Sequence, residues 1–375
     1  MTVPVAYLDH AATSPLRPQA LEAMLPWMAE PALTANPSAG HGPGRRARAA
    51  LEDARHQVAG LLGVEAGAVV FCGGGTEACN LAVLGAPGGG GTSVCSAVEH
   101  HAVLRPVTAR GGHVVAVDAA GVVDLDALAA ALHPGVRLVS VMAVNNETGV
   151  IEPLTEVEAV VRTRAPEAAL HTDAVAAGAT DLAALCRLCD LVSLGFHKLG
   201  GPRGVGALVV RPGTRLAPVL YGGPQERERR PGTPDLAGIV GAAAALAVAS
   251  AQRSSEWDRL LDLRRSFLEQ ARAAVPDLVV TAGTRPGVPG VVHVRVPGVD
   301  QEELLLLLDE AGVAASAGAA CASGALEPSH VLLAMGQDPS TARQAVRFSM
   351  GWSTTAGEVA AAAAALGEAT SRLRR

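Results

Sequence analysis

Aromatic side chains are nearly absent: Phe, Trp and Tyr together make up 2% of the chain. Ala and Gly are correspondingly abundant, a bias of base composition rather than of function. A strong excess of either charge is missing too. A net charge of −6 leaves no electrostatic footprint for direct nucleic-acid binding, although an acidic chain still serves nucleic-acid pathways through a partner. The opening "MTVPVAYLDHAATSP" lacks a basic start followed by an apolar core, which argues against a secretory signal. The longest apolar stretch, "IVGAAAALAVASA" from Ile239, is mostly alanine and too short to span a bilayer. The expectation is a soluble cytoplasmic protein with no membrane contact. Cysteine is sparse, and Cys72, Cys79, Cys95, Cys186, Cys189 and Cys321 are scattered, so no disulfide framework is expected.

What is present is apolar and ordered. Hydrophobic residues make up 49% and charged residues 18% of 375, enough for a large core and for a large domain beside a smaller one. From about Val69 to Val210, short apolar runs alternate with helical patterns. "AVVF" precedes "CGGGT" and a helical "EACNLAVLGA". "TSVCSA", "HVVAVD", "RLVSVMAV", "ALHTDA", "DLVSLGF" and "GVGALVV" follow as strand-like segments. Near-continuous apolar strands separated by helices predict a parallel sheet covered on both faces, with function at the strands' carboxyl ends. After about Ser250 the rhythm changes. "SEWDRLLDLRRSFLEQARAAV" reads as a long amphipathic helix, "LVVTA" and "VVHVRV" as strands, and "DQEELLLLLDEAG" as a helix. The fold class is α/β: residues 14–250 form a large domain with a mostly parallel sheet. Residues 1–13 and 251–375 form a smaller α+β domain.

Four features stand at the expected strand ends. In "FCGGGTEACN", a strand, then Gly73 to Thr76, then a helix make a helix N-terminus able to hold a phosphate; an ordinary Gly-rich turn reads the same way. Asp173 in "LHTDAVAAG" suits either a helix cap or a proton on a heteroaromatic nitrogen. Lys198 in "LVSLGFHKLGGPRGVGALVV" ends an apolar strand. It is either a snorkelling surface residue or a desolvated amine of the kind a Schiff base needs. Cys321 lies in the small-residue loop "ASAGAACASGALEPSH", as a reactive thiol or a small buried hydrophobe. A phosphate cradle, an aspartate for a pyridine nitrogen and a lysine for an aldehyde are the parts of a pyridoxal phosphate site. The "CRLCD" pair, Cys186 and Cys189, has no second pair for zinc and leads into an apolar strand, so it reads as core.

With these residues in order, the chain resembles the cysteine desulfurases, within the class V aminotransferases of the fold type I pyridoxal phosphate enzymes. The resemblance runs from "YLDHAATSP" through "ANPSAGHGPGRRA", "GGGTEACN", "EHHAV", "VNNETGV", "HTDA", "FHK", "GGPQERERRPGT" and "SAGAACASGALEPSHVL" to "VRFSMG". It implies the aspartate aminotransferase-like fold and pyridoxal 5'-phosphate as cofactor, in a Schiff base with Lys198. It implies Gly75 and Thr76 at the phosphate, His100 stacked on the ring, and Asn146 near the ring hydroxyl. Asp173 would lie at the ring nitrogen with His197 beside the lysine, and Thr233 would reach the phosphate of a second subunit in a homodimer. Asn36 and Arg347 would take the substrate carboxylate. Cys321 would be the nucleophile in a loop like that of the branch serving iron–sulfur assembly and nitrogen fixation.

Two positions depart from the family. A glutamine that bonds the ring oxygen is replaced by Ala176, and a serine that bonds the phosphate by Gly195. Each loss removes a hydrogen bond of about 0.5–1.5 kcal/mol, so weaker cofactor retention is expected, with the chemistry kept. The implied reaction converts L-cysteine to L-alanine. Lys198 moves the proton, His100 assists the substrate thiol, and Cys321 takes the sulfur as a persulfide for a protein acceptor. Selenocysteine lyase, another β-elimination or transamination, and a poorly active sulfur-relay scaffold are the alternatives.

Overall fold

The computed structural model describes residues 6–30, 33–86, 91–283, 285–318 and 328–375. Seven strands form the main sheet: β1 (Val69–Cys72), β2 (Thr92–Ser96), β3 (His113–Val115), β4 (Val136–Ser140), β5 (Ala169–Asp173), β6 (Leu191–Gly195) and β7 (Gly206–Val210). Their spatial order is β1-β7-β6-β5-β4-β2-β3. Strands β2 to β6 pair in parallel, and β7 lies antiparallel between β1 and β6. The reversal has a simple cause. The connection from Phe196 to Val205 is too short to hold the crossover that a parallel neighbour needs.

Both faces of the sheet are covered. Val70, Cys72, Leu138, Leu191 and Leu208 pack against helices Gly75–Gly85 and His101–Ala109. The alternate residues Val69, Phe71, Val139, Val192, Leu194 and Val209 pack on the other side with helices Gly42–Leu62 and Leu154–Arg164. This is why the strands read as unbroken apolar runs.

A second core surrounds a three-stranded antiparallel sheet of β8 (Val279–Val280), β9 (Val291–Arg295) and β10 (Ala345–Ser349), with helices Gln301–Glu310 and Ala356–Leu373. Ala6 and Leu8 belong to this core, and Ala6–Tyr7 pairs in parallel with Val313–Ala314.

The alanine-rich stretch from Ile239 and the amphipathic run after Ser254 are one continuous helix, Leu236–Ala274, of 39 residues. The Asp235 side chain caps it, accepting from Gly238 N at 3.0 Å. Past Gly241 it contains neither Gly nor Pro, so nothing in the sequence stops it. By length and composition this helix is sufficient to cross a membrane, which the shorter stretch was not. Its apolar residues instead divide between the two cores: Leu236, Ile239, Ala242, Ala243 and Leu246 to the first, Leu260, Leu263, Phe267 and Ala271 to the second.

Candidate active site

The carboxyl ends of five main-sheet strands converge on a cavity of about 470 Å³. Gly75 and Thr76 follow β1, His100 and His101 follow β2, and Asn146 and Glu147 follow β4. Asp173 ends β5, His197 and Lys198 follow β6, and Arg347 enters from β10 of the small sheet. Eight of the residues expected from sequence therefore line one space.

The end formed by helix Gly75–Gly85 suits an anion. Gly74 precedes the helix at φ 139°, a conformation that L side chains rarely adopt. No side chain caps the helix, so the amides of its first turn are left for a ligand.

Lys198 lies in the 3₁₀ turn Phe196–Leu199 beyond β6. The N-terminal segment anchors that turn: Ser14 N donates to the His197 carbonyl at 3.0 Å and Ser14 Oγ to the Lys198 carbonyl at 3.0 Å. His197 Nδ1 lies 3.2 Å from Thr13 Oγ1. Burial, then the neighbouring Lys198 and Arg203 cations, push the His197 imidazole down to about 4. Lys198 is also the single lysine among the 30 basic Lys and Arg residues, a signal the motif reading did not use. A guanidinium replaces an ammonium at most surface sites but is not an amine nucleophile.

Asp173 is 5% exposed, and its Oδ1 accepts from Val175 N at 2.9 Å. His100 caps helix His101–Ala109, its Nδ1 accepting from Ala102 N at 3.1 Å. Burial lowers the His100 imidazole, Lys198 and His330 lower it further, and Asp173 opposes them.

Arg347 is 1% exposed. Its Nη1 donates to the carbonyls of Asn146 at 2.8 Å and Gly318 at 3.3 Å, and its Nη2 to Asp9 Oδ1 at 2.7 Å. Its buried Nε has no hydrogen-bond partner among the described residues. A buried guanidinium with capacity left over fits a carboxylate ligand. Asn145, rather than Asn146, builds the adjoining turn, accepting from the amides of Glu147 and Thr148 at 2.9 Å each.

Three expected residues are not gathered here. Asn36 is exposed, its Oδ1 accepting from Ser38 N at 2.9 Å, and Thr233 is exposed ahead of the long helix. Cys321 lies outside the described residues. The flanks of its loop, Gly318 and Pro328, do line the cavity.

Glu147, His330 and Val175 line the cavity without having been singled out in the sequence. Glu147 is buried and accepts from Ser329 Oγ at 2.5 Å, and burial raises its carboxyl. His330 stacks on His101 at 4.4 Å. The polar run "NNETG" was the available signal for Glu147; His330 had none. Both cysteines of "CRLCD" are buried and pushed up to about 12 by desolvation, which agrees with core packing.

The two departures have a shared structural setting. A Cβ on Gly195 would lie 3.0 Å from Val175 Cγ1, and one on Gly75 would lie 2.5 Å from Val175 Cγ2. Val175 therefore occupies the room a serine at 195 needs. Ala176 lines both this cavity and a smaller one of about 130 Å³ beside it.

An uncapped helix start, a buried carboxylate, the one lysine and an under-bonded arginine around one cavity define a pyridoxal phosphate enzyme on an α/β transferase scaffold. The chain belongs to the class V aminotransferase family, whose family model matches residues 6–361. It is 38% identical over 359 residues to the cysteine desulfurase IscS of Dictyoglomus turgidum, covering 93% of this chain and 90% of that one. It is 39% identical to an IscS-like cysteine desulfurase of Mycobacterium tuberculosis, covering 99% and 98%. A solved NifS-like protein superposes with a TM-score of 0.90 at 31% identity, covering 98% of this chain and all of that one. Members of this family act through pyridoxal 5'-phosphate, and the residues present fit it.

Proposed function

We propose that this enzyme is a cysteine desulfurase in which Lys198 carries pyridoxal phosphate and Cys321 receives the sulfur. The observation that carries this reading is the convergence of Lys198, Asp173, His100, Thr76 and Arg347 on one cavity flanked by the ends of the Cys321 loop. When bound, the cofactor supplies an electron sink for the substrate's Cα. The amides of Gly75 and Thr76 would hold its phosphate, and Asp173 would hold a proton on its ring nitrogen. His100 would stack on the ring, with Asn146 near the ring hydroxyl and His197 beside the lysine.

Arg347 binds the L-cysteine carboxylate, with Asn36 as a second donor brought in on binding, and so fixes the Cα–H bond relative to Lys198. Lys198 Nζ, released when the substrate amino group takes its place, then takes the Cα proton. His100, kept neutral by burial, takes the proton of the substrate thiol. The Cys321 thiolate attacks the substrate sulfur: an S–S bond forms and the C–S bond breaks. The released electron pair stays with the carbon fragment, which leaves as L-alanine after protonation. Cys321 keeps the sulfane sulfur as a persulfide for a protein acceptor.

Thr233, exposed in the single chain, fits a role across a homodimer. The exposed stripe Leu21, Leu25 and Met28 on helix Pro18–Ala29 supports a partner surface, as does Tyr221 at 87% exposure. Residues 14–250 would then form the large domain, and 1–13 with 251–375 the small one. The five described cysteines are free thiols, which suits the cytoplasm.

The test is the intact mass after incubation with L-cysteine and removal of the excess. One added sulfur in the wild type and none in Cys321→Ala is expected. No added sulfur with cofactor bound would overturn the reading.

A further inference from the structure

One face of the main sheet is apolar along Leu138 and Leu191, then turns polar just before the cavity. Ser140 follows Leu138 by two residues on β4, and Ser193 follows Leu191 by two on β6, so all four share that face. His171 and Asp173, also two apart, belong to β5 between them, with Ser140 in register with His171 and Ser193 with Asp173. His171 Nδ1 lies 2.8 Å from Ser140 Oγ, and its Nε2 lies 2.9 Å from Ser193 Oγ. Ser140, His171 and Ser193 are 0% exposed.

Burying three polar side chains in an apolar layer is unfavourable unless every group is bonded. Both ring nitrogens are satisfied here, and burial pushes His171 down to about 4. A neutral imidazole donates from one nitrogen and accepts at the other, so the row carries a direction, set by its tautomer, without a net charge. Three further groups around Asp173, Cys79, Glu99 and His100, are kept from ionising as well. Burial and then the Asp173 charge raise Cys79, from helix Gly75–Gly85, and Glu99, after β2, well above their ordinary values. His100 is lowered. The row therefore gives Asp173 a rigid, uncharged floor.

We propose that His171 is a positioning residue, the centre of a Ser140–His171–Ser193 chain that holds the Asp173 carboxylate towards the cofactor ring. This rests on reading Asp173 as the partner of the ring nitrogen. A cation in the place of His171 would neutralise Asp173; a neutral chain orients it and leaves its charge for the ring. The alternative is a core histidine whose bonds serve packing alone.

The test compares wild type, His171→Phe, His171→Gln, Ser193→Ala and Asp173→Asn. Each is stripped of cofactor and titrated with pyridoxal phosphate. Two quantities are read: the dissociation constant, and the pH dependence of the bound cofactor's absorption. His171→Phe is expected to weaken binding about tenfold, the loss of one to two hydrogen bonds' worth of alignment, and to move the pH profile. His171→Gln, which keeps a donor and an acceptor, is expected to recover most of both. Ser193→Ala, expected to shift both in the same direction, carries the test if His171→Phe does not fold. Unchanged affinity and profile in a folded His171→Phe or Ser193→Ala overturn the proposal. So does an equal loss in Phe and Gln variants with an unmoved profile, which is packing alone. If Asp173→Asn also changes neither quantity, the reading of Asp173 itself fails.

Discussion

At the scale of single residues, chemistry has overridden the composition of the chain. Of the 30 Lys and Arg residues all but one are arginine, and the exception sits at the end of β6 beside the cavity. Lys198→Arg keeps the charge on a half-buried turn held through backbone carbonyls, so the fold is expected to survive with a change below about 1 kcal/mol. Borohydride reduction of the holoenzyme is expected to fix the cofactor to the wild-type peptide containing residue 198 and to nothing in the variant. Covalent label elsewhere in the wild type would displace Lys198 from its role. The Gly195 departure is likewise a matter of one neighbour. Gly195→Ser alone drives a Cβ against Val175 and is expected to cost about 1–3 kcal/mol by overpacking. With Val175→Ala the space opens, and the added hydroxyl is expected to slow cofactor loss relative to wild type. Thermal melts and cofactor dissociation rates measure both effects; a stable Gly195→Ser single variant would show that Val175 does not hold that space.

At the scale of elements, the long helix joins the two cores. Residues 251–255 are exposed, between Ala249 and Trp257, which pack on the first core, and continuity there keeps Leu246 and Leu260 in their separate cores. Ser254→Pro deletes one backbone hydrogen bond and clashes with the preceding turn, so a loss of about 3 kcal/mol or more is expected in urea unfolding. Ser254→Ala is expected to be neutral. A proline variant within about 1 kcal/mol of wild type would mean that the cores do not depend on an unbroken helix. The helix also marks a limit of the sequence. Its composition changes from alanine-rich to charged near Ser250 while its helix propensity does not, so a change of surroundings reads as a change of element. The seven strands were legible because burial on both faces leaves unbroken apolar runs. The reversed direction of β7 was not, since periodicity carries no direction and only the short Phe196–Val205 connection forces it. Lys198, Asp173 and Thr76 were legible as strand-end residues. His171 and His330 were not, because full burial in register with a neighbouring strand, or stacking on a distant ring, is a property of the packed chain.

At the scale of the whole molecule, burial of neutral histidines sets the acid limit of stability. His10 and His171 are pushed down to about 4 and His293 to about 3, each chiefly by desolvation, and all three are at most 4% exposed. The unfolded chain, with ordinary imidazoles near 6.5, binds more protons than the native state between pH 6.5 and about 4. Stability is therefore full above pH 6.5 and falls as pH drops through that window. His171 alone accounts for a loss on the order of 3 kcal/mol across it. Glu152 acts in the opposite sense: burial raises it to about 7, so its contribution is present below 4.5 and lost as pH rises through 7. Glu99 and Glu147 are raised in the same sense as Glu152, and His100 and His197 are lowered like the three buried histidines, so five imidazoles oppose three carboxyls and the acid loss dominates. Thermal melts of the holoenzyme are expected to fall from pH 6 to 5. Replacing His293 with Gln removes one titrating group and is expected to flatten that fall even where it lowers the melting temperature at pH 7. A melting temperature constant down to pH 5 would mean that these imidazoles take up protons in the folded state, and that the polar row beneath Asp173 is not the uncharged floor its burial requires.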